Sequence, residues 1–233
     1  MADPVCAVVG VGPGIGIALA RRFAAGGYRV AMIARTQEKL KAYEAELASA
    51  RGFAADAGDP DALKAALARI AREMGPVSVL CYNAGGGTWS PPEETTPAEM
   101  EAAWRVNALG LLAAAQAVAP AMLEAGRGAI MVTGATASLR GRPRTTAFAA
   151  AKAAQRSLAE SLARHWGPRG IHVALFVIDG VVDLPRTRER LPDKPDEFFL
   201  KPAEIAETVF FVAHQPRSAW SFLVDLRPFG ENW

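Results

Sequence analysis

Seven residues near the start of the chain, Gly10-Val11-Gly12-Pro13-Gly14-Ile15-Gly16, constrain its fold more than any other stretch. An apolar run, Val5 to Val9, precedes them, and a segment with helical spacing, Ile17 to Phe23, follows. A buried strand that turns through glycines into a helix brings bare amides and the positive end of a helix dipole to one point. Such a point receives a phosphate or pyrophosphate. Glycine is required because a Cβ would hold the ligand's oxygens away from the backbone. The spacing is G-x3-G-x-G rather than the G-x-G-x-x-G fingerprint, and Pro13 removes one amide donor. A glycine-rich turn that binds nothing is therefore the competing reading.

The next apolar run, Arg29 to Ala34, reads as a second strand, so the chain opens with a βαβ unit. Strands that hold NAD carry an acid for the ribose about 20 residues past the glycines. This chain offers Ala34, Arg35 and Thr36 instead. A cation without an acid suits a 2′-phosphate, so Arg35 points to NADP over NAD.

Apolar runs and Ala/Leu-rich helical segments alternate along all 233 residues. That pattern predicts an α/β fold: one doubly wound Rossmann domain over 1–233, with a mostly parallel seven-stranded sheet and helices on both faces. The expected strands are Val5–Gly10, Arg29–Ala34, Gly52–Ala55, Val77–Tyr82, Gly128–Thr133, His172–Ile178 and Ser221–Asp225. Helices are expected to start near Ile17, Gln37, Pro60, Pro97, Thr146 and Pro202, several announced by Asp, Thr or Pro. The long irregular stretch 183–200, with three prolines among many charges, reads as a substrate lid or as a solvated excursion.

Composition narrows the partners. A net charge of +2, with basic residues scattered apart from 140–144 and 186–190, argues against nucleic acid. No apolar run reaches the roughly 18 residues of a membrane span, and no leader is evident, so a cytoplasmic protein is expected. Cys6 and Cys81 fall in strand-like runs and read as buried thiols, and three histidines without ligand spacing predict no metal site.

With the later motifs added, the chain resembles the short-chain dehydrogenase/reductase family over nearly its whole length. Gly10, Gly14 and Gly16 match that family's glycine turn, with Val9 where threonine is usual. Asp56 stands at the end of the third strand, Asn83-Ala84-Gly85 closes the fourth, and Asn107 matches the asparagine of the central helix. The resemblance implies Gly10, Gly14, Ile15 and Gly16 on the pyrophosphate, Arg35 on the 2′-phosphate and Asp56 on the adenine. It places Asn83, Ala84, Gly85, Lys152 and Gly180 beside the nicotinamide and its ribose. It also implies a homodimer or homotetramer, and the aromatic tail Phe229 to Trp233 suits packing over a neighbour.

The family's proton relay uses a tyrosine, a lysine four residues later and a serine thirteen residues before the tyrosine. Here those positions hold Phe148, Lys152 and Ala135. Neither alanine nor phenylalanine can donate or accept a proton. Thr133, Thr136 and Ser138 are possible stand-ins for the serine, and Tyr82 is expected to pack in or below the sheet. Lys152 reads either as the group that binds the ribose and moves the proton or as a surface lysine. Asn107 either holds water near Lys152 or caps carbonyls inside a helix distortion. Asp179, in Asp179-Gly180 where the family has Pro-Gly, either takes over proton transfer or satisfies a turn. Two functions follow: an NADP-dependent oxidoreductase with a divergent site, suited to an activated C=C, C=N or carbonyl acceptor whose identity the sequence leaves open, or a nucleotide-binding pseudoenzyme acting as sensor or partner subunit.

Overall fold

The computed structural model describes residues 3–230. Seven strands form one sheet: β1 (Val5–Val9), β2 (Arg29–Ala34), β3 (Ala50–Ala54), β4 (Val77–Tyr82), β5 (Gly128–Thr133), β6 (Ile171–Ile178) and, after a two-stranded side pair, β9 (Leu223–Leu226). Their order is β3-β2-β1-β4-β5-β6-β9, and every pairing is parallel. The order reverses between β1 and β4, which opens a crevice at their carboxyl ends.

Alternation along β1 shows why the strands are apolar throughout. Val5, Ala7 and Val9 enter the core on one face, with Leu67, Leu111 and Val118. Cys6 and Val8 enter the core on the other, with Leu19, Phe23 and Val209. The first face is covered by helices α3 (Pro60–Met74), α5 (Gly110–Glu124) and α6 (Thr146–Trp166). The second is covered by α1 (Ile15–Ala25), α2 (Gln37–Glu46) and α8 (Pro202–Ala213). Cys6 and Cys81 are buried free thiols on adjacent strands, 3.9 Å apart at sulfur.

Helix entries follow their caps. Asp59 accepts from the amides of Asp61 and Ala62 ahead of Pro60. Thr96 and Glu99 form a capping box ahead of Pro97. The helix that begins there, α4 (Pro97–Trp104), continues through a π turn at Arg105–Leu109 into α5. The combined stretch is long and apolar enough to cross a membrane, contrary to the sequence expectation that no segment is. More than half of its apolar window is buried inside the protein, so its hydropathy is that of a core helix.

Other expectations shift in detail. The first helix starts at Ile15, and the third strand spans Ala50–Ala54. The last strand begins at Leu223 rather than Ser221, because the Gln215 side chain takes the Ser221 amide. Residues 183–200 are not irregular. A parallel pair, β7 (Val181–Val182) with β8 (Phe199–Leu200), brackets the short helix α7 (Pro185–Arg190). Asp183 ties that segment together, accepting from Arg188 at 2.6 and 2.9 Å and from Lys201 at 2.8 Å. Those two cations hold its carboxyl well below the usual carboxylate range. Trp233 lies outside the described residues.

Candidate active site

The glycine turn fits only glycine at two of its positions. Gly10 has φ +91°, and a Cβ there would stand 2.5 Å from the Ala84 amide nitrogen. A Cβ on Gly16 would stand 2.4 Å from the Gly10 carbonyl oxygen. Gly10 and Ala84 are thus the meeting point of the β1 and β4 ends, and Gly16 lets α1 lie on the turn. The Asn83 side-chain amide donates to the Gly10 carbonyl at 2.8 Å and braces it. By contrast, the space around Gly12 is open within 4 Å, and Gly14 faces Leu184 of the 183–200 segment. Gly14 caps α1 without a side-chain bond, so the first amides of the helix point past the turn. Ile15 is the first residue of that helix.

Arg35 is exposed just past β2 and makes no ion pair among the described residues. Asp56 lies two residues beyond β3, not at its end, and one carboxylate oxygen accepts from the Gly58 amide at 2.8 Å. Its exposure leaves the other oxygen open to the cleft.

Across the switch point a buried polar cluster replaces bare backbone. Lys152 projects from α6 into the interior, 5 % exposed, and is no surface lysine. Its amine donates to the Thr133 carbonyl at 2.8 Å and to Gln155 Oε1 at 2.9 Å. Burial without a carboxylate partner pushes that amine down to about 7. Gln155 Nε2 in turn donates to the Asn107 carbonyl at 3.1 Å. Asn107 sits in the π turn, where its amide donates to Ala103 O at 2.8 Å and Gly86 O at 2.6 Å. It therefore spans the helix distortion, while its Oδ1 stays buried without a partner. Gly85 lies over both groups: a Cβ there would be 2.9 Å from Asn107 Oδ1 and 3.1 Å from Lys152 Nζ. Gly85 is itself exposed, so a single glycine here lies between the buried cluster and solvent.

Gln155 was not visible as a site residue among the alanines of its helix. The signal was its i+3 spacing from Lys152, which puts both on one helical face.

Phe148, one turn before Lys152 on α6, is half-buried and stacks against Trp89, with centroids 5.7 Å apart and planes at 24°. Ala135 opens the short turn after β5, where its amide donates to Ser138 Oγ at 3.2 Å. Ser138 is buried in that role, and Thr133 contributes its carbonyl to Lys152. The Thr136 hydroxyl donates to Asp179, whose second oxygen lies 3.5 Å from the Arg227 guanidinium. The Asp179 carboxylate thus ties the ends of β5 and β6 to the segment after β9. Gly180 packs on Pro228 beside it. Tyr82 lies in the core, where it donates to the Val106 carbonyl at 2.6 Å and burial raises its pKa. Among the described residues no cluster of His, Cys, Asp and Glu could hold a metal ion.

A doubly wound parallel sheet with a glycine turn and a buried lysine at its switch point defines a nucleotide-type crevice. The short chain dehydrogenase family model matches residues 4–194, and the chain belongs to that family of oxidoreductases. D-threitol dehydrogenase of Mycolicibacterium smegmatis is 31 % identical over 221 residues, covering 90 % of this chain and 85 % of the relative. A short-chain dehydrogenase from Rhodopseudomonas palustris superposes with a TM-score of 0.85 at 33 % identity, covering 98 % of this chain and 100 % of the other. A metagenomic short-chain oxidoreductase, solved in complex with NADP, gives a TM-score of 0.84 at 28 % identity and covers 99 % of each chain.

Proposed function

We propose that the protein is an NADP-dependent oxidoreductase of short-chain type with a rebuilt proton site, acting on an activated C=C, C=N or carbonyl acceptor. The observation that carries this reading is the Lys152 amine, buried beside the unpartnered Asn107 Oδ1 and beneath the exposed Gly85. When bound, NADP supplies the hydride chemistry. The open space at Gly12 and the close approaches at Gly10 and Gly16 fit a pyrophosphate lying on backbone. Arg35 takes the 2′-phosphate and Asp56 the adenine, and the NADP bound by the similar metagenomic oxidoreductase supports a nicotinamide cofactor in this fold.

Lys152 holds the proton. Two of its three N–H directions are taken by Thr133 and Gln155, which leaves one for the cleft. With its amine near 7, both protonation states are populated at neutral pH. Phe148 and Ala135 contribute no hydroxyl where the family has its tyrosine and serine, and such acid–base help is worth about 10²–10⁴-fold. An acceptor already polarised by conjugation or positive charge needs less of it. The 183–200 segment, seated on Gly14 through Leu184, serves as the lid over that acceptor.

The test is a fluorescence titration with NADPH and with NADH. NADPH is expected to bind more tightly, and Arg35→Ala to remove most of that preference, about 10-fold or more for a charge-assisted contact. Binding of neither cofactor overturns the proposal.

A further inference from the structure

Trp89 is a large apolar ring left 65 % exposed, and its indole N–H makes no hydrogen bond among the described residues. Such a ring costs hydration and here secures nothing in the core. Yet the loop that carries it is fixed. Thr146 Oγ1 donates to the Ser90 carbonyl at 3.1 Å, binding the loop to the start of α6. Gly87 lies flat on Phe148, where a Cβ would meet the Phe148 Cα and Cβ at 3.0 Å. The indole stacks on Phe148 while most of its surface stays exposed. Two residues of the same loop away from Gly87, Gly85 covers Lys152 and Asn107. One five-residue segment therefore presents an open aromatic face and the cover of the buried amine.

We propose that the Trp89–Phe148 stack is the recognition platform for a flat, conjugated ring on the acceptor. Offset stacking rewards a π-face over a saturated ring of equal size, and a platform fixed in advance loses no ordering entropy when the ring arrives. An aliphatic acceptor would gain as much from an aliphatic side chain at either position. The inference rests on reading this cleft as the acceptor site.

The experiment is a calorimetric titration of the full chain with 2-naphthol and with its saturated counterpart, decahydro-2-naphthol. The wild type is expected to bind 2-naphthol about tenfold more tightly than the saturated compound. Trp89→Leu, on the surface and harmless to the core, should weaken 2-naphthol about three- to tenfold and leave the saturated compound unchanged. Phe148→Leu should do the same. Equal affinity for the two compounds, absence of 2-naphthol binding, or an unchanged Trp89→Leu variant overturns the platform. NADPH titrated into the same samples separates the two proposals. NADPH binding without ring discrimination defeats the platform alone, whereas discrimination without NADPH binding defeats the oxidoreductase reading and with it the acceptor role of the platform.

Discussion

Along β1 the cleft is shaped by side chains that are missing, and along β5 and α6 by side chains that are present and buried. Gly10 and Gly16 let backbone meet backbone at distances that no Cβ would allow. Lys152, Gln155 and Asn107 do the reverse, sealing three polar side chains into the interior and satisfying all but one acceptor with each other and with Thr133, Ala103 and Gly86. A site made of backbone tolerates no addition. A site made of buried polar groups tolerates no removal, because each lost partner leaves another group desolvated and unpaired.

The largest effect expected from that contrast is at Gly10. Gly10→Ala forces alanine to φ +91° and drives its methyl onto the Ala84 backbone. Strain and overpacking together cost about 2–6 kcal/mol. Gly12→Ala, with nothing within 4 Å, should leave stability unchanged. Urea denaturation of the two variants checks this. Equal stabilities would show that the turn relaxes and that the close approach is incidental.

Next in size is the pH dependence that Lys152 imposes. Its amine is pushed from 10.5 down to about 7 on folding. Between those values the unfolded chain binds the proton and the folded chain does not, so stability rises with pH across that window. Below about 7 both states are charged and the burial penalty is present in full. The rise amounts to on the order of 4 kcal/mol. Cys6 and Tyr82, both raised by burial, pull the other way at alkaline pH. They are common to wild type and Lys152→Met, so the difference between the two isolates the lysine. Measured against Lys152→Met at pH 6.5, 8 and 9.5, the wild-type midpoint should gain steadily as pH rises, and parallel curves would mean the amine stays charged in the fold.

A smaller effect sharpens the chemical side of the comparison. On the proposed reading, Ala135→Ser with Phe148→Tyr supplies hydroxyls at the two positions where the resemblance expects the family's relay. NADPH-dependent reduction of a plain ketone such as acetophenone should rise about 10²-fold. No rise would mean that the cleft differs from the family's in more than those hydroxyls.

The same contrast decides what could be read from the sequence. Strands buried on both faces are continuous apolar runs, and caps such as Asp59-Pro60 and Thr96-Pro97 mark their helices. The sheet was therefore legible strand by strand, to within two residues at each end. The glycine turn was legible because a glycine records the space it vacates. The polar cluster was legible only in part: Lys152 and Asn107 stood out through family motifs, whereas Gln155 depends on which face of α6 meets the sheet. The contacts of Asp179 were hidden for a related reason. Its partner Arg227 lies past the last strand, and only the β6–β9 pairing brings them together. The order within 183–200 was hidden because Asp183, Arg188 and Lys201 stabilise it through ion pairs that have no periodic signature.

Gln155 offers the finest test of a site that tolerates no removal. Gln155→Met keeps the volume but deletes the acceptor of one Lys152 N–H and the donor to the Asn107 carbonyl. The cost should be about 1–3 kcal/mol, the range for stranding buried polar partners. The comparison turns on the double variant. If the two side chains act as one unit, Lys152→Met in the Gln155→Met background should cost less than it does alone, since one stranded partner has already gone. The double-mutant cycle then closes with a coupling energy of about 1 kcal/mol or more. Strict additivity would mean that the Lys152–Gln155 bond carries no net energy and that the amine is held by the Thr133 carbonyl alone. Activity against pH would follow: with Gln155 essential to the amine's position, Gln155→Met shifts the pH profile as well as lowering the rate.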